Sequence, residues 1–290
     1  MFFLYNRVKG RVAVLLYNWL KKPDVKNTDL TINYIVEHRC SVSRFGDGEF
    51  KLLLGESLVF QKHDQTLADK FKSILAQDED LNYIVCIPGT LVNSDELKLA
   101  PKEYWQQYFS GNYFYLKSYF TFKKSYYDSL MSRLYMDQAD KSLSYLRFEK
   151  IKKVWDKQDV IFIEGDQSRL GVGNDLFDNA QSVQRVICPS LHAFSKYDEV
   201  IDYVRMNVSK DFLILLALGP TATAMAWDLC KVGYWAIDIG HIDIEYEWMN
   251  MGATDKVAIK NKFVGDIFTF DEDQNGDLEA YKKSIIKIIS

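Results

Sequence analysis

The sequence predicts an α/β fold, a Rossmann-like, mostly parallel sheet flanked by helices, and three observations carry the prediction. Phe212 to Leu218 is an unbroken apolar run, short enough for an interior parallel strand rather than a helix. Gly219 and Pro220 end that run and open a helix, with Thr221 or Thr223 placed to cap it. Between residues 160 and 240, buried strand patterns alternate with helical ones, which implies parallel strands joined by right-handed crossovers.

The composition sets the outer bounds. With 290 residues, 48% hydrophobic and 26% charged, the chain can bury a large core as one domain or two small ones. The net charge of −4 gives no basic field for nucleic acid, so nucleic-acid partners are not expected. Aromatic residues reach 14%, which fits either an aromatic-rich core or surfaces that stack on sugar rings. Cys40, Cys86, Cys188 and Cys230 are widely separated and form no CxxC pair, so buried thiols in a reducing, cytoplasmic setting are expected and a zinc site is not.

In chain order, the first 22 residues hold five basic side chains and no acid, with apolar positions at helical spacing. Two placements follow for this amphipathic helix: resting on an anionic membrane at the inner face of the cell membrane, or docked on the domain. Pro23 to Asp29 is a linker. A helix is expected over Thr31 to Glu37, a strand over Ser41 to Phe45, and a turn at Gly46-Asp47-Gly48 leading into a helix or bent strand. Residues 66 to 77 read as an amphipathic helix and Tyr83 to Pro88 as a strand. Residues 92 to 147 read as an aromatic-rich helical insertion. A helix over Phe148 to Trp155 precedes strands at Val160 to Glu164 and Val183 to Cys188, and residues 198 to 207 are helical. Tyr234 to Ile239 is the last interior strand. An acidic stretch, 271 to 279, leads to a terminal helix over Tyr281 to Ile289. The division is thus an N-terminal helix and linker (1–29), a main domain (30–270) and an acidic linker with its helix (271–290).

Several residues fall where chemistry would be expected. The helix opened at Gly219, Thr221 and Thr223 offers outward backbone N–H groups and the positive end of a helix dipole, a cradle for phosphate. The strand ending near Ile239 delivers Asp238, His241, Asp243 and Glu245 to the carboxyl edge of the sheet, where open α/β folds bind ligands; Asp238, inside the strand, reads as structural. In the loop after residue 164, Gly171 and Gly173 begin a dinucleotide fingerprint that Leu176 breaks, and no P-loop occurs. That loop still carries Arg169, Asn174 and Asp175, and an arginine there either grips phosphate in bidentate fashion or pairs with an acid. Asp47 and Glu49, two apart around a glycine, read as an acid-x-acid clip for magnesium or manganese, or simply as a turn. Such a site suits an activated phosphate ester.

Three stretches, RFGDGE (44–49), EGDQSRLGVGNDLF (164–177) and LGPTATAMAWDLCKVGYWAIDIGHIDIEYEW (218–248), resemble the bacterial glycosyltransferases of GT-D fold, a family first described as a domain of unknown function. The resemblance spans roughly residues 30 to 265. It implies a GT-D-type sheet and transfer of a sugar from a nucleotide-sugar donor, typically UDP-linked, to a glycan or lipid-linked glycan acceptor in surface polysaccharide or glycoprotein synthesis. It further implies that Asp47 and Glu49 hold a divalent metal. Arg44, Arg169, Gly173, Asn174 and Asp175 would join Gly219, Thr221 and Thr223 around the donor diphosphate. Asp243 or Glu245 would act as general base, with His241 as an alternative base or ligand. A metal-dependent phosphoesterase and a non-catalytic nucleotide- or glycan-binding module are the competing functions.

Overall fold

The computed structural model describes residue 17, residues 19–267, 269–270 and 278–290. Most of the N-terminal helix expectation and the acidic stretch 271–277 lie outside these residues. The elements run β1 (Asp24–Val25), α1 (Thr28–His38), β2 (Ser41–Arg44), α2 (Asp47–Leu53), α3 (Gln65–Ala76) and β3 (Tyr83–Ile87). There follow α4 (Leu99–Leu116), β4 (Ser125–Asp128), α5 (Ser144–Ile151), β5 (Asp159–Gly165), β6 (Ser182–Cys188) and α6 (Tyr197–Asn207). The chain closes with β7 (Leu213–Ala217), α7 (Pro220–Lys231), β8 (Trp235–Asp238), α8 (Ile242–Asn250), β9 (Phe263–Val264), β10 (Thr269–Phe270), α9 (Glu279–Ser284) and β11 (Ile285–Ile288).

Nine strands form one sheet in the order β1-β4-β3-β2-β8-β7-β5-β6-β11, and every pairing in it is parallel. The interior strands β5 and β7 are continuous apolar runs because helices cover both faces. One face packs Phe50, Phe71, Phe109, Val204 and Met225 from α2, α3, α4, α6 and α7. The other packs Ile35, Phe148, Leu176 and Trp248 from α1, α5, the loop after β5 and α8. Ala222, Ala224 and Ala226 are fully buried, and their small size lets α7 lie directly on β2 and β8.

Two expectations are corrected. Residues 92–147 are not a helical insertion: after α4 the chain supplies β4, which pairs with β3 and β1 inside the main sheet. The terminal helix stops at Ser284, and Ile285 to Ile288 instead add a parallel edge strand beside β6. The acidic run after β8, to which the sequence assigns no element, forms the helix α8.

The sheet also contains a reversal of winding. The connection leaving β2 passes through α2 and α3 on one face, whereas the chain leaving β8 enters α8 on the other. β2 and β8 are neighbours, joined at Val42 and Ile237. Their carboxyl ends therefore meet at the position where open α/β sheets place the ligand crevice.

Candidate active site

Arg44, the last residue of β2, lies across this crevice. Its Nη2 donates to Asp238 Oδ1 at 3.3 Å and its Nη1 to the Ser129 carbonyl at 3.2 Å. Asp238, the last residue of β8, also accepts the Gly240 N–H at 3.1 Å and the Thr223 hydroxyl at 3.0 Å. Gly240 has φ +49, and a Cβ there would sit 1.9 Å from Arg44 Nη2. A glycine is thus required both by the backbone and by the guanidinium lying over it. The Arg44 Nε is buried and has no partner among the described residues, leaving a charged donor available to a ligand.

Glu49 adjoins this pair. Its carboxylate folds back to accept the Gly46 N–H at 2.6 Å, the reciprocal half of a capping box on α2. Burial, and after it the neighbouring Asp238 carboxylate, push Glu49 up to about 7. Asp238 is itself raised by burial, against the opposing pull of Arg44. Asp47 points elsewhere: its Oδ2 accepts from Lys51 Nζ at 2.7 Å and from the Tyr104 hydroxyl at 2.6 Å. Asp47 and Glu49 are two apart in the first turn of a helix, so they diverge rather than face one point as a turn would allow. Among the described residues no group of three or more potential ligands is gathered for a metal; the oxygen-only donors of Asp47 and Glu49 suit a hard divalent cation in kind, and Arg44 opposes the repulsion between Glu49 and Asp238. Asp47 is partly exposed beside them.

The phosphate cradle at α7 is formed in part as expected. Gly219, at φ +53, is exposed with the Phe60 ring beside it, and Pro220 occupies the first helical position. The Thr221 hydroxyl is buried with no partner among the described residues. Thr223 is not available to a phosphate, because its hydroxyl bonds the Arg44 carbonyl at 2.7 Å as well as Asp238. It ties β2 to β8 instead.

The loop after β5 does not join this cradle. Asn174 Nδ2 donates to Asp243 Oδ1 and Glu247 Oε1, both at 2.7 Å. Arg169 turns to Asn261 and to the rings of Phe270 and Tyr281. Asp175 accepts from the Tyr246 hydroxyl at 2.8 Å, and Gly173, at φ +84, is an exposed turn residue. This loop clamps α8 and the tail. The expected bases are likewise corrected. Asp243 is buried against Lys262, whose Nζ lies 2.7 Å from it and 2.9 Å from Glu247. Glu245 is fully buried and accepts the N–H groups of Tyr135 and Met136 at 2.9 and 2.8 Å. Neither carboxylate is open to an acceptor hydroxyl. His241, the residue before α8, is driven down to about 4 by burial and then by Arg133, so it is neutral at physiological pH and a weak base.

Asp238, read from the sequence as structural, sits at the centre of the site and holds Arg44, Thr223 and the Gly240 N–H. Two tyrosines escape a reading of the sequence. Tyr104 and Tyr108, from the aromatic stretch, reach Asp47 with their hydroxyls, and no local spacing announces that contact.

A crevice at the winding reversal, holding Arg44 with two acids beside a helix N-terminus, is the setting in which kinship becomes informative. The sequence model of the glycosyltransferase GT-D fold family matches residues 42–267. This chain belongs to that family. The "Glycosyltransferase GlyD" of Streptococcus pneumoniae serotype 4 is 39% identical over 274 residues, 92% of this chain and 33% of the relative. The "Probable glycosyl transferase Gly" of Streptococcus gordonii is 36% identical over 265 residues, 90% of this chain and 38% of the relative. The chain therefore spans about a third of the length of these relatives. A solved structure of domain of unknown function 1792, described as having a distinct glycosyltransferase fold, superposes with TM-score 0.88 at 36% identity, covering 97% of this chain and all of that one. A glycosyltransferase of the same domain from Streptococcus sanguinis gives TM-score 0.87 at 35% identity, over 93% of this chain and all of that one. The nine-stranded sheet is thus a GT-D sheet, and the matched region includes every strand from β2 to β8. No helix among the described residues is long and apolar enough to cross a membrane.

Proposed function

We propose that this GT-D chain transfers a sugar from a nucleotide-sugar donor, UDP-linked, to a glycan or lipid-linked glycan acceptor in surface polysaccharide or glycoprotein synthesis. The observation that carries the reading is the Arg44 guanidinium, held between the ends of β2 and β8 with its Nε–H unpaired among the described residues and near enough to Glu49 to pull its carboxyl down. A preorganised cation of this kind stabilises charge developing on a leaving diphosphate without reorganising during the reaction. Gly219, exposed at the N-terminus of α7, would present the positive end of the helix to the same diphosphate, with the buried Thr221 hydroxyl behind it.

Glu49 and Asp47 would hold a magnesium or manganese ion, Asp47 after leaving Lys51 and Tyr104. When bound, that ion acts as a Lewis acid toward the departing diphosphate. Arg44, Asp238 and Thr223 set the register between the two strand ends, and Tyr104 forms the wall beside Asp47. The acceptor enters from the open carboxyl edge of the sheet. The site lies at the inner face of the cell membrane or in the cytoplasm, where nucleotide sugars are made.

The experiment is release of nucleoside diphosphate from UDP-sugars, with manganese and with chelator, for the wild type, Asp47→Ala and Glu49→Ala. Divalent-dependent release that both variants lose, with melting unchanged, is the expected result. Full activity in either variant removes the metal assignment. Release of inorganic phosphate in place of UDP would make the protein a phosphoesterase, and ligand binding with no turnover would make it a binding module.

A further inference from the structure

The end of α4 and the turn after it form a face of distinctive composition. No Asp or Glu occurs between Glu103 and Asp128, nor anywhere before Asp24. These two acid-free stretches meet in the fold. The Tyr113 hydroxyl donates to the Lys21 carbonyl, Lys21 Nζ lies 5.1 Å from the Phe122 ring centroid, and the Tyr17 ring packs against Phe109 and Tyr113. The inward side of α4 is fully engaged by Trp105, Phe109, Tyr113 and Leu116.

The outward side of a packed helix is ordinarily polar. Here Trp19 is 89% exposed, Tyr115 67%, Phe114 56% and Phe122 39%, with Lys21, Lys117 and Lys123 exposed among them. Lys117 Nζ lies 4.9 Å from the Phe114 ring, a stem-over-aromatic arrangement that leaves the charge in water. The acids bordering this face are locally engaged: Asp24 with Lys26 and Ser125, and Glu79 with the Ser125 N–H. Asp78 and Asp80 belong to the adjoining turn before β3.

We propose that this face, built on Trp19, Phe114, Tyr115 and Phe122 with the lysines between them, seats the protein on the headgroup layer of an anionic bilayer. Composition selects the occupant. Protein–protein interface cores are enriched in aromatics but depleted of lysine, whereas Trp, Tyr and Phe interleaved with Lys is the mixture favoured at a membrane–water interface. Topology makes the docking compatible with catalysis. α4 runs from the carboxyl end of β3 to the amino end of β4, so this face and the crevice lie at opposite edges of the sheet. A seated molecule keeps its crevice open to the aqueous side. The inference does not depend on the proposed activity.

The test is co-sedimentation of the full chain with phosphatidylcholine vesicles, with and without phosphatidylserine, for the wild type and a Phe114→Ser/Tyr115→Ser/Phe122→Ser variant. All three positions are exposed, and an unchanged melting temperature verifies folding. Partition should be at least about tenfold stronger with phosphatidylserine and should weaken as salt is raised. The variant should lose about tenfold of it. Residues 1–22 are intact in both proteins, so partition unchanged in the variant would assign all membrane affinity to them and overturn the proposal. Absence of binding, or equal binding to neutral vesicles, overturns it as well. So does a dimer, measured by light scattering, that the variant dissolves, because the face would then belong to a second copy.

Discussion

Replacing Gly240 by alanine separates the folding role of the crevice from its chemical one. The new Cβ would stand 1.9 Å from Arg44 Nη2 and 2.7 Å from its Cζ, and the residue has φ +49. Alanine in the left-handed region costs about 1–2 kcal/mol. The clash itself is with the far end of a flexible side chain, so Arg44 can swing away and the chain still folds. Swinging away breaks the bonds to Asp238 and Ser129 that aim the guanidinium. Loss of one preorganised electrostatic contact typically lowers turnover about 10²- to 10³-fold. Gly240→Ala should therefore unfold at moderately lower urea yet lose turnover on that larger scale. The assay is UDP release for Gly240→Ala, Arg44→Ala and the double variant, with urea unfolding alongside. If both substitutions act through one guanidinium, the double variant should be no worse than the more impaired single one, a large departure from additivity. Near wild-type turnover in Gly240→Ala, or losses that simply multiply in the double variant, would refute the role given to Arg44.

Other consequences concern stability. Lys262→Met leaves Asp243 and Glu247 facing each other without their buried cation and should cost about 3–5 kcal/mol, read by urea unfolding; a change below about 1 kcal/mol would show that water reaches the cluster. Thr221→Val removes a buried hydroxyl that has no partner among the described residues. It should stabilise the ligand-free protein by about 1 kcal/mol while weakening nucleotide binding in calorimetry, and lower stability would mean the hydroxyl is already paired. His241 is neutral in the fold down to about 4, below its ordinary 6.5. The unfolded chain thus carries the extra proton across that window, and the His241 contribution to stability falls as pH drops from 6.5 toward 4, by at most about 3 kcal/mol. Urea titrations at successive pH values should show a shallower slope there in His241→Phe than in the wild type.

The parts of this fold that could be read from the sequence are those where one physical signal dominates. Interior strands such as β5 and β7 are apolar because both faces are covered, and Gly219-Pro220 marks a helix start through φ and a missing donor. β4, with the sequence SYYD, has no apolar run and is defined only by its pairing with β3 and β1. β11, IIKI, follows directly on α9 and suits either structure; only the free edge of β6 decides. In the site, the spacing of the acids leaves their directions open. The segment His241-Ile-Asp-Ile-Glu-Tyr-Glu alternates, which on a strand would align its acids along one face. In α8 the same spacing sends Asp243 to Asn174 and Lys262 but Glu245 to the backbone of residues 135 and 136. Asp47 and Glu49 repeat the pattern in α2, one reaching Tyr104 and the other Gly46. Tyr104, Asn174 and the backbone of residues 135 and 136 each lie more than fifty residues from the acid they hold, and no local window contains them.

The charge balance of the crevice leads to one further expectation. Asp47 is matched by Lys51, and Asp238 by Arg44, which leaves Glu49 without a cation of its own. Burial and Asp238 already hold Glu49 near 7, so the ligand-free crevice is neutral to slightly negative. A nucleoside diphosphate alone would add like charge beside Glu49 and Asp238. A divalent cation alone would relieve that repulsion but keep open coordination positions that the protein does not fill. Each ligand therefore completes the site for the other, and the coupling must be reciprocal. Calorimetry should show manganese tightening UDP binding and UDP tightening manganese binding by the same factor, between about 5- and 150-fold for a coupling of typical size. In Glu49→Gln the factor should collapse toward unity, because the carboxylate that makes the cation necessary is gone. Strong UDP binding that is indifferent to manganese in the wild type would show that Arg44 and α7 suffice for the diphosphate, and that Glu49 serves a purpose other than holding a metal.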